Sequence, residues 1–181
     1  MTARAVAVFG SSQAGPGSEE WRQAEMVGAR LASAGLAVVT GGYGGTMEAA
    51  SKGAVANGGM AIGVTAPKLF TGRSAANEYV TREIQAGSLS ERLGILTSEA
   101  DGVIALPGSI GTATELLVSW NLNHITRRNS GSRLPTVAVG GGWRDLARLM
   151  TTGLGAFGGD IATVATAEEA VDWLLDQPEM R

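Results

Sequence analysis

The chain has no cysteine and a single histidine, His124. The first absence excludes a disulfide framework, a cysteine-ligated metal and a thiol nucleophile. The second leaves Ser-His-Asp chemistry and histidine-rich zinc sites without the residues they need, so His124 reads as structural or interfacial. No apolar run reaches the roughly 18 residues of a membrane span, and no cleavable leader pattern opens the chain. A cytoplasmic protein with no membrane partner is expected. A basic excess is missing as well: the net charge is −3 and the pI about 5.2, which argues against a nucleic-acid footprint. There is no Gly-x-Gly-x-x-Gly after the first apolar run and no Gly-x-x-x-x-Gly-Lys-Ser/Thr, which weakens a dinucleotide fold of the usual kind and a P-loop ATPase.

Glycine, by contrast, is abundant. The 27 glycines in 181 residues are roughly twice the usual share of about 7%, implying many tight turns and close backbone approaches. With 44% hydrophobic and 17% charged residues, residues 1–181 suit a single globular domain. Short apolar runs predict strands at 5–9, 36–40, 60–64, 78–84, 101–106, 136–139 and 161–164. Between them, helical spacing marks a segment capped by Ser18 and ending near Gly35, then 47–57, 88–98, 111–125, 143–150 and 167–175. Residues 66–76 lose the pattern and read as a loop over a site, and residues 127–133 read as a polar, basic loop. Strands alternating with helices predict an α/β, Rossmann-like three-layer fold: a parallel sheet flanked by helices, with ligands bound outside the carboxyl ends of the strands. The glycine turns at Gly10, Gly41–Gly45, Gly108–Gly111 and Gly140–Gly142 all fall at those ends and are expected to line one crevice.

One stretch carries the most chemistry. Leu106-Pro107-Gly108-Ser109-Ile110-Gly111-Thr112-Ala113-Thr114-Glu115 runs from strand through a glycine turn into helix. Such a turn leaves backbone N–H groups facing outward at a helix N-terminus, where a phosphate is the natural guest. Thr112 adds a hydroxyl, and Glu115 a carboxylate beside the bound group. Two readings of Glu115 stand together: a catalytic carboxylate, or a first-turn residue answering the helix dipole or closing a capping box. Glu48 divides in the same way. Arg92 reads as a solvated helix residue or as a site cation. Trp120 and the leucines around it read as core or dimer surface. The loop from Gly42 through Gly45 and Thr46 to Glu48 resembles the one from Gly108 to Glu115, although glycine turns converge too easily to make this a repeat.

The segment Pro107-Gly108-Ser109-Ile110-Gly111-Thr112-Ala113-Thr114-Glu115 is similar to the P-G-G-x-G-T-x-x-E signature of the "lonely guy" (LOG) proteins, long mislabelled as lysine decarboxylases. Three further stretches follow in register. Phe9-Gly10-Ser11-Ser12 resembles their C-G-S-S turn, Gly41-Gly42-Tyr43-Gly44-Gly45-Thr46-Met47 their G-G-x-x-G-x-M loop, and Leu89-Ser90-Glu91-Arg92 the arginine of their M-H-x-R-K segment. The resemblance covers roughly residues 5–150 and implies a homodimer that hydrolyses the N-glycosidic bond of a nucleoside 5′-monophosphate, releasing base and ribose 5-phosphate. It implies Glu115 and Arg92 as the catalytic pair. Gly10, Ser11, Ser12, Gly42, Gly45, Thr46, Gly108, Ser109, Ile110, Gly111 and Thr112 would bind substrate and phosphate. No metal or other cofactor is called for, and lysine Schiff-base chemistry finds no recognisable setting at Lys52 or Lys68. The chain departs from the pattern at Ser109, at Ser90, at Leu93 and at Glu48. An added carboxylate and a lost cation would weaken phosphate binding unless Arg82 or Arg127 compensates. These departures also resemble a divergent branch that includes molybdenum-cofactor carriers, so the alternative is a non-catalytic binder of a nucleotide or phosphorylated cofactor.

Overall fold

A computed structural model describes residues 4–70, 72, 75–129 and 133–180. Seven strands are present: β1 (Ala5–Phe9), β2 (Ala37–Thr40), β3 (Ala61–Thr65), β4 (Arg82–Gln85), β5 (Gly102–Ala105), β6 (Thr136–Val139) and β7 (Ala162–Val164). They form one sheet in the order β4-β3-β2-β1-β5-β6-β7, every adjacent pair parallel. Among the described residues five α-helices connect them, α1 (Glu19–Ser33), α2 (Thr46–Ala56), α3 (Leu89–Ser98), α4 (Ile110–Arg128) and α5 (Gly141–Leu154), and α6 (Ala167–Leu175) follows the last strand.

The pleat assigns the two faces. Val6 and Val8 of β1 pack with Trp21, Val27 and Leu31 of α1 and Leu174 of α6, whereas Ala5, Ala7 and Phe9 pack with Ile62, Val64 and Leu96. A third cluster joins Ala105, Leu116 and Ala138 under α4. The β1 and β3 strands are buried along their whole length, as a sheet covered on both sides requires.

Helix starts divide into two kinds. Ser18 accepts a hydrogen bond from Trp21 N at 3.2 Å, Ser88 accepts one from Glu91 N at 3.2 Å, and Thr166 with Glu169 closes a full capping box. By contrast α2, α4 and α5 begin at Gly45, Ser109 and Gly140 without a side-chain cap.

Several boundaries differ from the sequence pattern. The fourth strand starts at Arg82 rather than residue 78 because Asn77 makes a turn: its side chain donates to Gly42 O and Tyr43 O, and its Oδ1 accepts from Tyr79 N. The α4 helix continues through Arg128, so Arg127 and Arg128 belong to a helix and not to the expected basic loop; residues 130–132 of that loop lie outside the described residues. Arg127 remains exposed but is paired, with Asp160 3.2 Å from its Nε and the Phe157 ring 4.2 Å from its Cζ. The α5 helix runs on to Leu154 and ends at Gly155 in the left-handed conformation (φ +70°). Among the described residues no helix is long and apolar enough to cross a membrane.

Candidate functional site

Strand order reverses at β1, which has β2 on one side and β5 on the other. A crevice opens at the carboxyl ends of adjacent, oppositely directed connections. Here those ends are Phe9-Gly10 and Leu106-Pro107, and a cavity of about 130 Å³ lies beside them. Its walls include Gly10 and Ser12 after β1, Gly41 and Tyr43 after β2, Ser109, Gly111 and Thr112 at the start of α4, and Arg92 with Glu115.

Arg92 is a strut through this region. It is 6% exposed, and its guanidinium crosses from α3 to three acceptors. Nε donates to Val64 O at 2.8 Å, Nη2 to Gly41 O at 3.2 Å, and Nη1 to Glu115 Oε1 at 3.3 Å. The passage exists only because residue 41 is glycine: a Cβ there would overlap Arg92 Nη2 and come within 2.6 Å of Met47 Sδ. The solvated-helix reading of Arg92 is therefore excluded by its burial.

Glu115 is the sixth residue of α4, one turn too far along to cap it, and Ser109 at the cap position makes no side-chain cap bond. Its side chain is 13% exposed. Burial pushes its carboxyl up from the ordinary 4.5 to about 7, and the opposing charge and hydrogen bond of Arg92 only partly offset this. A carboxyl that changes charge near neutrality can both accept and return a proton at working pH.

The two threonines expected to face a ligand both hold the β1–α1 turn in place, Thr112 while also lining the cavity. Thr112 Oγ1 donates to Gly10 O at 3.0 Å, and Thr46 Oγ1 donates to Ser11 O at 3.2 Å. Gly45 (φ +77°) is pressed against the same turn, where a Cβ would collide with Ser11 O. Ser11, Gly42, Gly45, Thr46, Gly108 and Ile110 are thus not among the residues lining the cavity; Ile110 is 82% exposed. Gly10, Ser12, Ser109, Gly111, Thr112, Arg92 and Glu115 are brought together as anticipated.

Gly140–Gly142 do not join the crevice. They line a separate cavity with Pro107, Gly108 and Trp143, because β6 lies two strands from β1. Arg82 and Arg127 do not supply charge to the site either, since each is paired elsewhere, with Glu99 and Asp160. Glu48 sits in the first turn of α2 and borders a wider cavity of about 540 Å³ that shares Ser12 and Tyr43 with the first. Of the two readings of Trp120, core and dimer surface, the structure favours the core: it is buried within the chain, its indole N–H donating to Phe157 O at 3.3 Å. The exposed apolar side chains nearby are Leu122, Ile125, Leu149, Leu154 and Phe157. Two crevice residues had no motif to mark them: Phe70, an isolated aromatic in a patternless loop, and Tyr43, the variable position of a glycine loop. Among the described residues no group of three or more His, Asp or Glu side chains could hold a metal.

The fold is shared with the molybdenum cofactor binding protein of the phototrophic bacterium Rippkaea orientalis, with a TM-score of 0.74 and 22% identity over 95% of each chain. The chain is 34% identical over 100 residues to a cytokinin riboside 5′-monophosphate phosphoribohydrolase of Mycobacterium marinum, covering 55% of this chain and 53% of the relative. It is 31% identical over 130 residues to the protein of the same name from Rhodococcoides fascians, covering 71% and 65%. These matches thus span about half to two thirds of the relatives' length. The profile of the SLOG cluster4 family matches residues 3–127, well over half of the sequence, and the protein belongs to that family.

Proposed function

We propose that this protein is a phosphoribohydrolase that cleaves the N-glycosidic bond of a nucleoside 5′-monophosphate. The carrying observation is the Arg92–Glu115 pair, a buried carboxyl raised to about 7 beside the uncapped start of α4 at the reversal of strand order. The relatives named as phosphoribohydrolases support the reading.

In this scheme the phosphate accepts from the backbone N–H groups that open α4 and from Ser109, so that remote binding energy places the anomeric carbon over Glu115. The base extends past Tyr43 toward the wider cavity bordered by Glu48. As the carbon–nitrogen bond lengthens, the sugar becomes oxocarbenium-like, and the Glu115 carboxylate stabilises it and takes a proton from the attacking water. The hydroxyl ends on the anomeric carbon and the proton on the departing nitrogen. Arg92 holds the carboxylate in place and is expected to do so as a positioning group. Homodimerisation through the exposed apolar side chains of α4 and α5, and a cytoplasmic setting, complete the proposal; light scattering at micromolar concentration tests the dimer.

A second reading is a carrier without turnover, favoured by the fold shared over 95% of the chain with a molybdenum cofactor binding protein. Incubation with purine and pyrimidine nucleoside monophosphates, followed by detection of free base, separates the two. Release of base by the wild type supports the hydrolase; tight nucleotide binding with no release from any of them supports the carrier.

A further inference from the structure

One aromatic side chain at the crevice has no part in the scheme above. Phe70 sits on the connection between β3 and β4, with Arg92 Cζ 5.7 Å from its ring centroid. Tyr43 meets the same ring edge-on, the centroids 5.4 Å apart and the planes at 71°. That bracket is fixed in turn. The Tyr43 hydroxyl accepts from Ala66 N at 2.7 Å, Asn77 donates to Tyr43 O at 2.9 Å, and Phe70 N donates to Ala66 O at 3.2 Å.

The remaining large apolar side chains lining the cavity, Val8, Phe9, Tyr43 and Met47, are all buried. Phe70 alone among them is partly exposed, which places it between the cavity and solvent. Gly10, Gly41, Ser109 and Gly111, which also line the cavity, offer almost no apolar cover.

We propose that Phe70 is a positioning residue: it clamps the Arg92 guanidinium over Glu115 and shuts bulk water out of the half of the crevice that holds the carboxylate. An aromatic face beside a guanidinium attracts it, and the attraction strengthens where water is excluded. The groups facing Glu115 leave no other source for its behaviour. Among the described residues the titratable or charged side chains lining the cavity are Tyr43, Arg92 and Glu115 itself. Arg92 lowers the Glu115 carboxyl, no second acid is there to raise it, and desolvation is the largest cause. Removing the roof admits water and brings the carboxyl back toward the ordinary range.

This inference rests on the proposed hydrolase for its kinetic readout, and has a second readout that does not. The variants are Phe70→Ala, Phe70→Gln and Phe70→Leu. In a pH profile of kcat/KM, the alanine and glutamine variants are expected to lower the midpoint assigned to Glu115 by about one pH unit or more, and leucine to keep it within about 0.3. The substrate phosphate titrates identically in every protein, so the difference between variants isolates Glu115. The same shift is read without turnover from urea unfolding of each variant with and without Glu115→Gln, as the pH window over which that substitution changes stability. If Phe70→Ala fails to fold, the glutamine and leucine variants decide. Midpoints and windows that stay fixed, or that move as far with leucine as with glutamine, overturn the roof. A moved window in a protein that releases no base upholds the roof and sinks the hydrolase.

Discussion

Arg92 Nη1 stands 3.3 Å from Glu115 Oε1, yet this ion pair does not hold the carboxyl in its ordinary range. Burial outweighs the guanidinium, and Glu115 remains near 7. Two buried groups of opposite charge therefore share a cavity in which the acid changes charge at neutral pH.

Stability records that imbalance. Below pH 4.5 the carboxyl is protonated in both the folded and the unfolded chain. Between 4.5 and about 7 the unfolded chain releases the proton while the folded one keeps it, so wild-type stability falls as pH rises and is flat above. A shift of this size corresponds to about 3 kcal/mol. Glu115→Gln removes the slope, so its stability relative to wild type should rise by about that amount from pH 4.5 to pH 8 in urea unfolding. Parallel curves across the window would contradict the burial of an ionisable Glu115.

Truncation of Arg92 acts on both sides of the pair. Arg92→Ala leaves Val64 O and Gly41 O without a donor and Glu115 without its cation, at a cost of about 3–5 kcal/mol in urea unfolding above pH 7. It also removes the group that lowers the Glu115 carboxyl, so the pH–rate midpoint should move up, the reverse of the Phe70 variants. Arg92→Lys should recover little, because one ammonium cannot span three acceptors as a planar guanidinium does.

Gly41→Ala separates activity from folding. The added methyl meets Arg92 Nη2 and Met47 Sδ, both at the ends of flexible side chains, so the fold yields by displacing the guanidinium. Expected are a loss of about 1–3 kcal/mol in stability and a fall of about 10²-fold or more in kcat. An alanine variant with wild-type kcat would show that the strut is not needed where it lies.

Much of this was legible in the chain. The alternation of apolar runs with helical spacing specified a parallel sheet, and Ser18 marked a helix start that its side chain does cap. Glu115 and Arg92 were both named, and they meet. What escaped were relations that only strand order creates. Gly140–Gly142 look like the other glycine turns in sequence, but β6 lies beyond β5, so they border another cavity. Thr46 and Thr112 carry hydroxyls suited to a phosphate, yet tertiary packing brings them against Ser11 O and Gly10 O. Phe70 follows no period because loop side chains are aimed by the loop's own hydrogen bonds, here those of Ala66.

The central claim is that Glu115 performs chemistry on a bound nucleotide. Its most direct test is to follow free base and ribose 5-phosphate from a nucleoside 5′-monophosphate with wild type and Glu115→Gln, alongside calorimetric nucleotide affinity. The account predicts equimolar products from the wild type and a fall of about 10²–10⁴-fold in kcat for the variant, with affinity retained within about threefold. Equal turnover by the two proteins, or nucleotide bound by both and cleaved by neither, would contradict it.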